Sequence, residues 1–70
     1  MGQISFFLEA DFIELYKLLK VTGIFESGGE AKYAISQSEV QVDGQIETRK
    51  ACKIRKGQKV ECCGETIIVE

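Results

Sequence analysis

The side chains best placed to do chemistry in this chain are cations, and they are bunched. Residues 49–59 contain Arg49, Lys50, Lys53, Arg55, Lys56 and Lys59 and not one acid. Fixed positive charges at that density suit a polyanion, because each one displaces a counterion from a phosphate it neutralises. A second feature is Ser27-Gly28-Gly29-Glu30. Ser27 and Glu30 have the spacing of a capping box, which puts Gly28 and Gly29 in the first helical turn, where bare N–H groups can receive an anion. Lys32 follows within half a turn and favours an anion there, whereas Glu30 opposes one. A nucleophile such as Cys52, between Lys50 and Lys53, would need a base, and the chain has no His. Cys52 therefore reads as a small packed residue, and Cys62 and Cys63 as strand residues whose side chains alternate to opposite faces. Three Cys without His leave a zinc site one ligand short. No metal, no cofactor and no catalytic residue is expected, and the chain is not read as an enzyme.

Elsewhere the charge runs the other way. Residues 1–48 carry only Lys17, Lys20 and Lys32 against eight acids, and residues 60–70 carry three acids and no base. The formal charge of −2 over 70 residues thus averages an acidic body with one cationic segment. At this length one domain, residues 1–70, is expected, with about 60% of the unfolded surface buried and little room for a deep cleft. An apolar fraction of 44% and a charged fraction of 29% suit an ordinary soluble globular domain. The odd, partly adjacent cysteines are not a disulfide framework and imply reduced thiols and a cytoplasmic location. No apolar run nears membrane-span length, and the first residues, Met1 to Phe6, lack a signal peptide's basic region.

The elements that must position these groups follow from periodicity. Gln3 to Leu8 is predicted as a strand. Asp11 offers an N-cap, with Glu14 three residues on, for a helix from about 12 to about 21 whose apolar face is Phe12, Leu15, Tyr16, Leu18 and Leu19. Gly23 closes it. Ser27 caps a second helix ending near Ser38, with Ala31, Ala34 and Ile35 as its inner stripe. Val40 to Val42 and Gln45 to Glu47 flank Asp43-Gly44, a strong hairpin signal. Lys59 to Cys63 and Thr66 to Val69 are predicted as further strands around a Gly64-Glu65 turn. Phe6, Phe7, Phe12 and Tyr16 are assigned to the core, which leaves Tyr33 and Phe25 as the only candidate stacking rings, and Tyr33 is expected to be half-buried.

The order Leu15…Leu19…Gly23-Ile24…Ser27…Ala31-Lys32…Ile35…Val40-Gln41-Val42-Asp43-Gly44 resembles the S4-type RNA-binding domain. With Glu47-Thr48-Arg49-Lys50…Cys52-Lys53-Ile54 added, the chain is most similar to the free-standing, YbcJ-like bacterial members of that family. The resemblance implies an α/β (α+β) fold, with two short packed helices against a small, mostly antiparallel sheet (the αL motif). It also implies that the second helix, the loop and the hairpin present a basic surface to structured RNA. Lys32 falls where the family places a basic residue on the second helix, and Arg49, Lys50 and Lys53 fall on the stretch after the hairpin. Three positions depart from the pattern: Glu14 and Gly28 stand where the family commonly has Arg, and Ser38 where it has Gly. That shifts the load to residues 49–59.

The leading expectation is a module recognising structured RNA, ribosomal or transfer RNA, as a monomer able to join a ribonucleoprotein. Its contacts would be Lys32, Arg49, Lys50, Lys53, Arg55 and Lys56, with Lys20 on the first helix and Ser27, Gly28 and Gly29 at the start of the second. The alternative is a protein-interaction module that docks the basic segment on an acidic partner; no membrane is involved in either.

Overall fold

The computed structural model describes residues 2–70. Its elements are β1 (Gly2–Phe6), β2 (Ile13–Glu14), α1 (Leu15–Val21), α2 (Gly28–Ser36), β3 (Val40–Val42), β4 (Gln45–Ile46), β5 (Lys53–Ile54), β6 (Lys59–Cys62) and β7 (Glu65–Val69). Five strands form one sheet in the order β1-β7-β6-β3-β4, and β2 with β5 makes a separate two-stranded ribbon. Only β1 runs parallel to its neighbour; the other pairs are antiparallel. The fold is thus the expected pair of helices against a mostly antiparallel sheet.

One face of that sheet is the core. Register aligns Ile4 with Ile67, Ile67 with Val60, and Val60 with Val42. Strand alternation sends these residues inward with Val40, Cys62 and Val69, while Gln3, Ser5, Thr66, Glu61 and Gln41 line the other face. Against the inner face lie Leu15, Leu18 and Leu19 of α1 and Ala31 and Ile35 of α2, all wholly buried. The small Ala31 and Ala34 let the two helices approach closely. Among the described residues no helix is long and apolar enough to cross a membrane.

The second helix and its hairpin form as their sequence dictates. Ser27 Oγ accepts from the Glu30 amide at 3.2 Å, and the Glu30 carboxylate lies 3.3 Å from the same hydroxyl. Asp43 and Gly44 both take positive φ (52° and 84°), as a two-residue hairpin turn matching strand twist requires.

Four expectations are corrected. The first helix starts at Leu15, with Glu14 as an N-cap residue whose side chain makes no capping bond, and Asp11 does not cap it. Ile13 and Glu14 are instead drawn into the ribbon with β5. The second tight turn is Cys63-Gly64, with φ of 58° and 78°, so Glu65 begins β7 and Cys63 is an exposed turn residue rather than a strand residue. The turn brings the Cys62 and Cys63 sulfurs to 2.7 Å rather than to opposite faces. Phe7 and Phe12 are exposed instead of core, and Tyr33 is 66% exposed rather than half-buried.

Candidate functional site

Residues 49–54 have no period of their own because their order comes from docking on α1. The first amides of a helix lack helical acceptors. In α1 two of them are met by distant backbone: Leu15 N–H donates to the Cys52 carbonyl at 2.9 Å, and Tyr16 N–H to the Lys50 carbonyl at 3.1 Å. The ribbon extends this junction by pairing Ile13 with Ile54 and Glu14 with Lys53. Ile54 is wholly buried and acts as the nail, so its neighbours Lys53 and Arg55 point outward.

Asp43 fixes the far end of the segment. Its carboxylate accepts from the Lys59 amide at 2.9 Å and from Gln58 Nε2 at 3.2 Å, and its own amide donates to the Lys59 carbonyl at 2.8 Å. These bonds, the Lys59 amide first, hold the Asp43 carboxyl below its usual pKa. The intervening Arg55–Gln58 turn is tied to β7 through Gly57 N–H, which donates to the Val69 carbonyl at 2.8 Å.

Two aromatic rings, Tyr16 and Phe12, each have cations close beside them. Lys32 Nζ, from α2, stands 4.6 Å from the centre of the Tyr16 ring, and Lys17 Nζ stands 6.0 Å from it. Lys53 Nζ and the Arg55 guanidinium carbon stand 4.9 and 5.8 Å from the centre of the Phe12 ring. Distances of this order place the cations in the attractive field of each ring. Gly28 packs beside Tyr16; a Cβ added there would lie 3.5 Å from Tyr16 Cδ2. The Gly28 and Gly29 amides, at the first two positions of α2, have no helical acceptors.

The six cations of residues 49–59 do not form a single patch. Arg49 is claimed by Glu47, with Nε and Nη2 donating to its two oxygens at 2.9 and 3.1 Å while the Arg49 amide donates at 3.0 Å. These bonds bring the Glu47 carboxyl down to about 2, with the Arg49 guanidinium as the largest cause. Lys59 lies 3.8 Å from Glu61, and on α1 Lys17 pairs with Glu14 at 3.1 Å. Among the described residues Lys20, Lys32, Lys50, Lys53, Arg55 and Lys56 take part in no ion pair. Lys32, Lys53 and Arg55 converge on the two rings, and the Lys50 backbone anchors the same junction. Lys20 lies three residues beyond Lys17 on α1, and Lys56 lies at the tip of the 55–58 turn; neither touches those rings. A groove of about 430 Å³ lined by Arg49, Ala51, Cys52 and Lys53 opens beside this face.

The thiols are not activated. Burial, then the Glu47 carboxylate, pushes the Cys52 thiol up despite the opposing pull of Arg49. Burial and the Cys63 contact push Cys62 up to about 12. Both therefore stay protonated at neutral pH. Among the described residues no three of His, Cys, Asp and Glu converge to hold a metal.

Helical spacing assigned both rings to the core: Tyr16 does pack, partly buried, against it, whereas Phe12 is exposed beside Lys53 and Arg55. The signal available was Phe12 itself, which would have fallen outside the helix if the start had been placed at Leu15.

Three comparisons with known proteins bear on this geometry. A family model described as S4 domain matches residues 6–70. YbcJ of Escherichia coli (strain K12) is 51% identical over 57 residues, 81% of each chain. Its solution structure, described as revealing an αL motif involved in RNA binding, matches with a TM-score of 0.73 at 47% identity, over 93% of this chain and 84% of that one. A Bacillus subtilis (strain 168) protein named RlbA, a probable ribosome maturation protein, is 33% identical over 57 residues, 81% of this chain and 80% of its own.

Proposed function

The chain belongs to the S4 domain family, and from that premise we propose that it is an RNA-binding module gripping structured RNA, ribosomal or transfer RNA, through the face built around Tyr16 and Phe12. The observation that carries this reading is the docking of residues 49–54 on the start of α1. It brings the Lys50–Arg55 stretch to the start of α1, where Lys53 and Arg55 stand over Phe12 and Lys32 of α2 stands over Tyr16. Such a surface reads charge spacing and shape rather than base edges. Lys20 and Lys56 extend it at the margins, and the Ser27–Gly29 turn adds amide donors for one more phosphate. Arg49 joins only by leaving Glu47. The name of the Bacillus subtilis relative, a probable ribosome maturation protein, supports the ribosomal side of this proposal. Residues 1–70 act as one monomeric unit with no catalytic residue, since the Cys52 thiol has neither a base nor a lowered pKa.

The test is charge reversal of Lys32, Lys50 and Lys53 together, which spares the Glu47–Arg49 pair and the core. Crosslinking and sequencing of bound RNA should recover structured RNAs with wild type and lose them with the variant. Recovery of the same RNAs by both proteins contradicts the assignment. A parallel pull-down after complete nuclease digestion separates the alternative: a partner retained without RNA points to an acidic protein instead.

A further inference from the structure

We infer that Phe12 is a stacking platform for one unpaired nucleobase, so that the preferred target is a paired RNA interrupted by a bulge or loop rather than a continuous duplex. The inference rests on the RNA-binding reading and goes beyond its phosphate contacts. The outward position of Phe12 is set by register. Ile13 pairs with Ile54 and turns toward the core with it, so the residue on either side of Ile13 must turn out. The chain thus places an aromatic ring immediately before the ribbon, 37% exposed.

What surrounds the ring points to a nucleotide. Lys53 and Arg55 flank it within 4.9 and 5.8 Å, while the groove that shares Lys53 as a wall lies alongside. A base brings a π-face to the ring, and its phosphates bring the charge that draws the two cations off it. No duplex offers both, because its bases are stacked on one another; an unpaired one does. Tyr16, half-buried under Lys32 and Lys17, is the less accessible of the two rings.

The experiment uses the full chain and two RNA hairpins with the same paired stem, each closed by a flexible non-nucleotide linker, one fully paired and the other carrying one added 2-aminopurine bulge. Affinities are read by anisotropy of an end label, and stacking by 2-aminopurine fluorescence. Wild type should bind the bulged hairpin about tenfold more tightly and quench the bulge. Phe12→Leu should lose that preference and the quenching, binding the two hairpins alike; Phe12→Trp should keep both. Circular dichroism confirms that each variant is folded. Equal binding of both hairpins by wild type overturns the stacking role and leaves the RNA reading standing. An equal loss on both hairpins with Phe12→Leu also overturns it, since the ring would then only prop up the cations. Binding to neither hairpin by wild type overturns the RNA reading and this inference with it.

Discussion

Glu47 holds Arg49 through both carboxylate oxygens, so one of the six cations that make residues 49–59 so basic is neutralised where it stands. That pairing is invisible in a charge count, because a carboxylate two residues away reads as part of the acidic body. Glu47→Gln should free the guanidinium, tighten binding to a structured RNA about two- to fivefold, and steepen its salt dependence by about one phosphate contact. Unchanged affinity and slope would show that Arg49 has no place on the RNA. The same carboxyl makes a pH statement. Its pKa falls from 4.5 to about 2 on folding, so its contribution to stability is complete above the unfolded value and is lost as pH falls through the folded one. The difference in urea-unfolding free energy between wild type and Glu47→Gln should therefore be flat above about pH 5 and shrink toward about pH 2. A gap that stays constant across that range would break the link. The pair is exposed on the Arg49 side, so the gap itself should be modest.

Local chemistry made α2 and the β3–β4 hairpin legible from sequence. Ser27 with Glu30 and Asp43 with Gly44 are complete signals within four residues, and both elements form where those signals stand. The start of α1 was not legible, because its amides are satisfied by the carbonyls of Lys50 and Cys52 from far along the chain. The same docking orders residues 49–54, whose sequence has neither a helical nor a strand period. Asp43 was legible as a turn residue but not as the latch on Gln58 and Lys59, which depends on β6 lying beside it. Ser38 adds an element-scale prediction. It leaves α2 with a φ of 62°, a conformation that is strained for a residue bearing a Cβ. Ser38→Gly should stabilise the fold by about 1 kcal/mol by urea unfolding, after offsetting the glycine's extra entropy in the unfolded chain. A destabilised variant would show that the serine side chain contributes there.

Over the whole molecule the charges are sorted by position rather than by sum. β6 carries Lys59 at one end and the Cys63-Gly64 turn at the other. At that far turn Glu39, Glu61 and Glu65 line a groove of about 330 Å³ with the two thiols. The cationic face lies instead at the junction of α1 with residues 49–54. A net charge of −2 therefore coexists with a local concentration of cations beside the start of α1. The sequence showed the segregation but not the address, since Lys32 reaches Tyr16 and Lys53 reaches Phe12 only through the helix packing and the ribbon. The most direct measurement is the affinity of the full chain for a structured RNA across a salt series. Four to six phosphate contacts should give a slope of log K against log salt of about −3 to −5, and reversal of Lys32, Lys50 and Lys53 together should flatten it by about three contacts. An affinity independent of salt, or a slope that survives the reversal, would contradict the account.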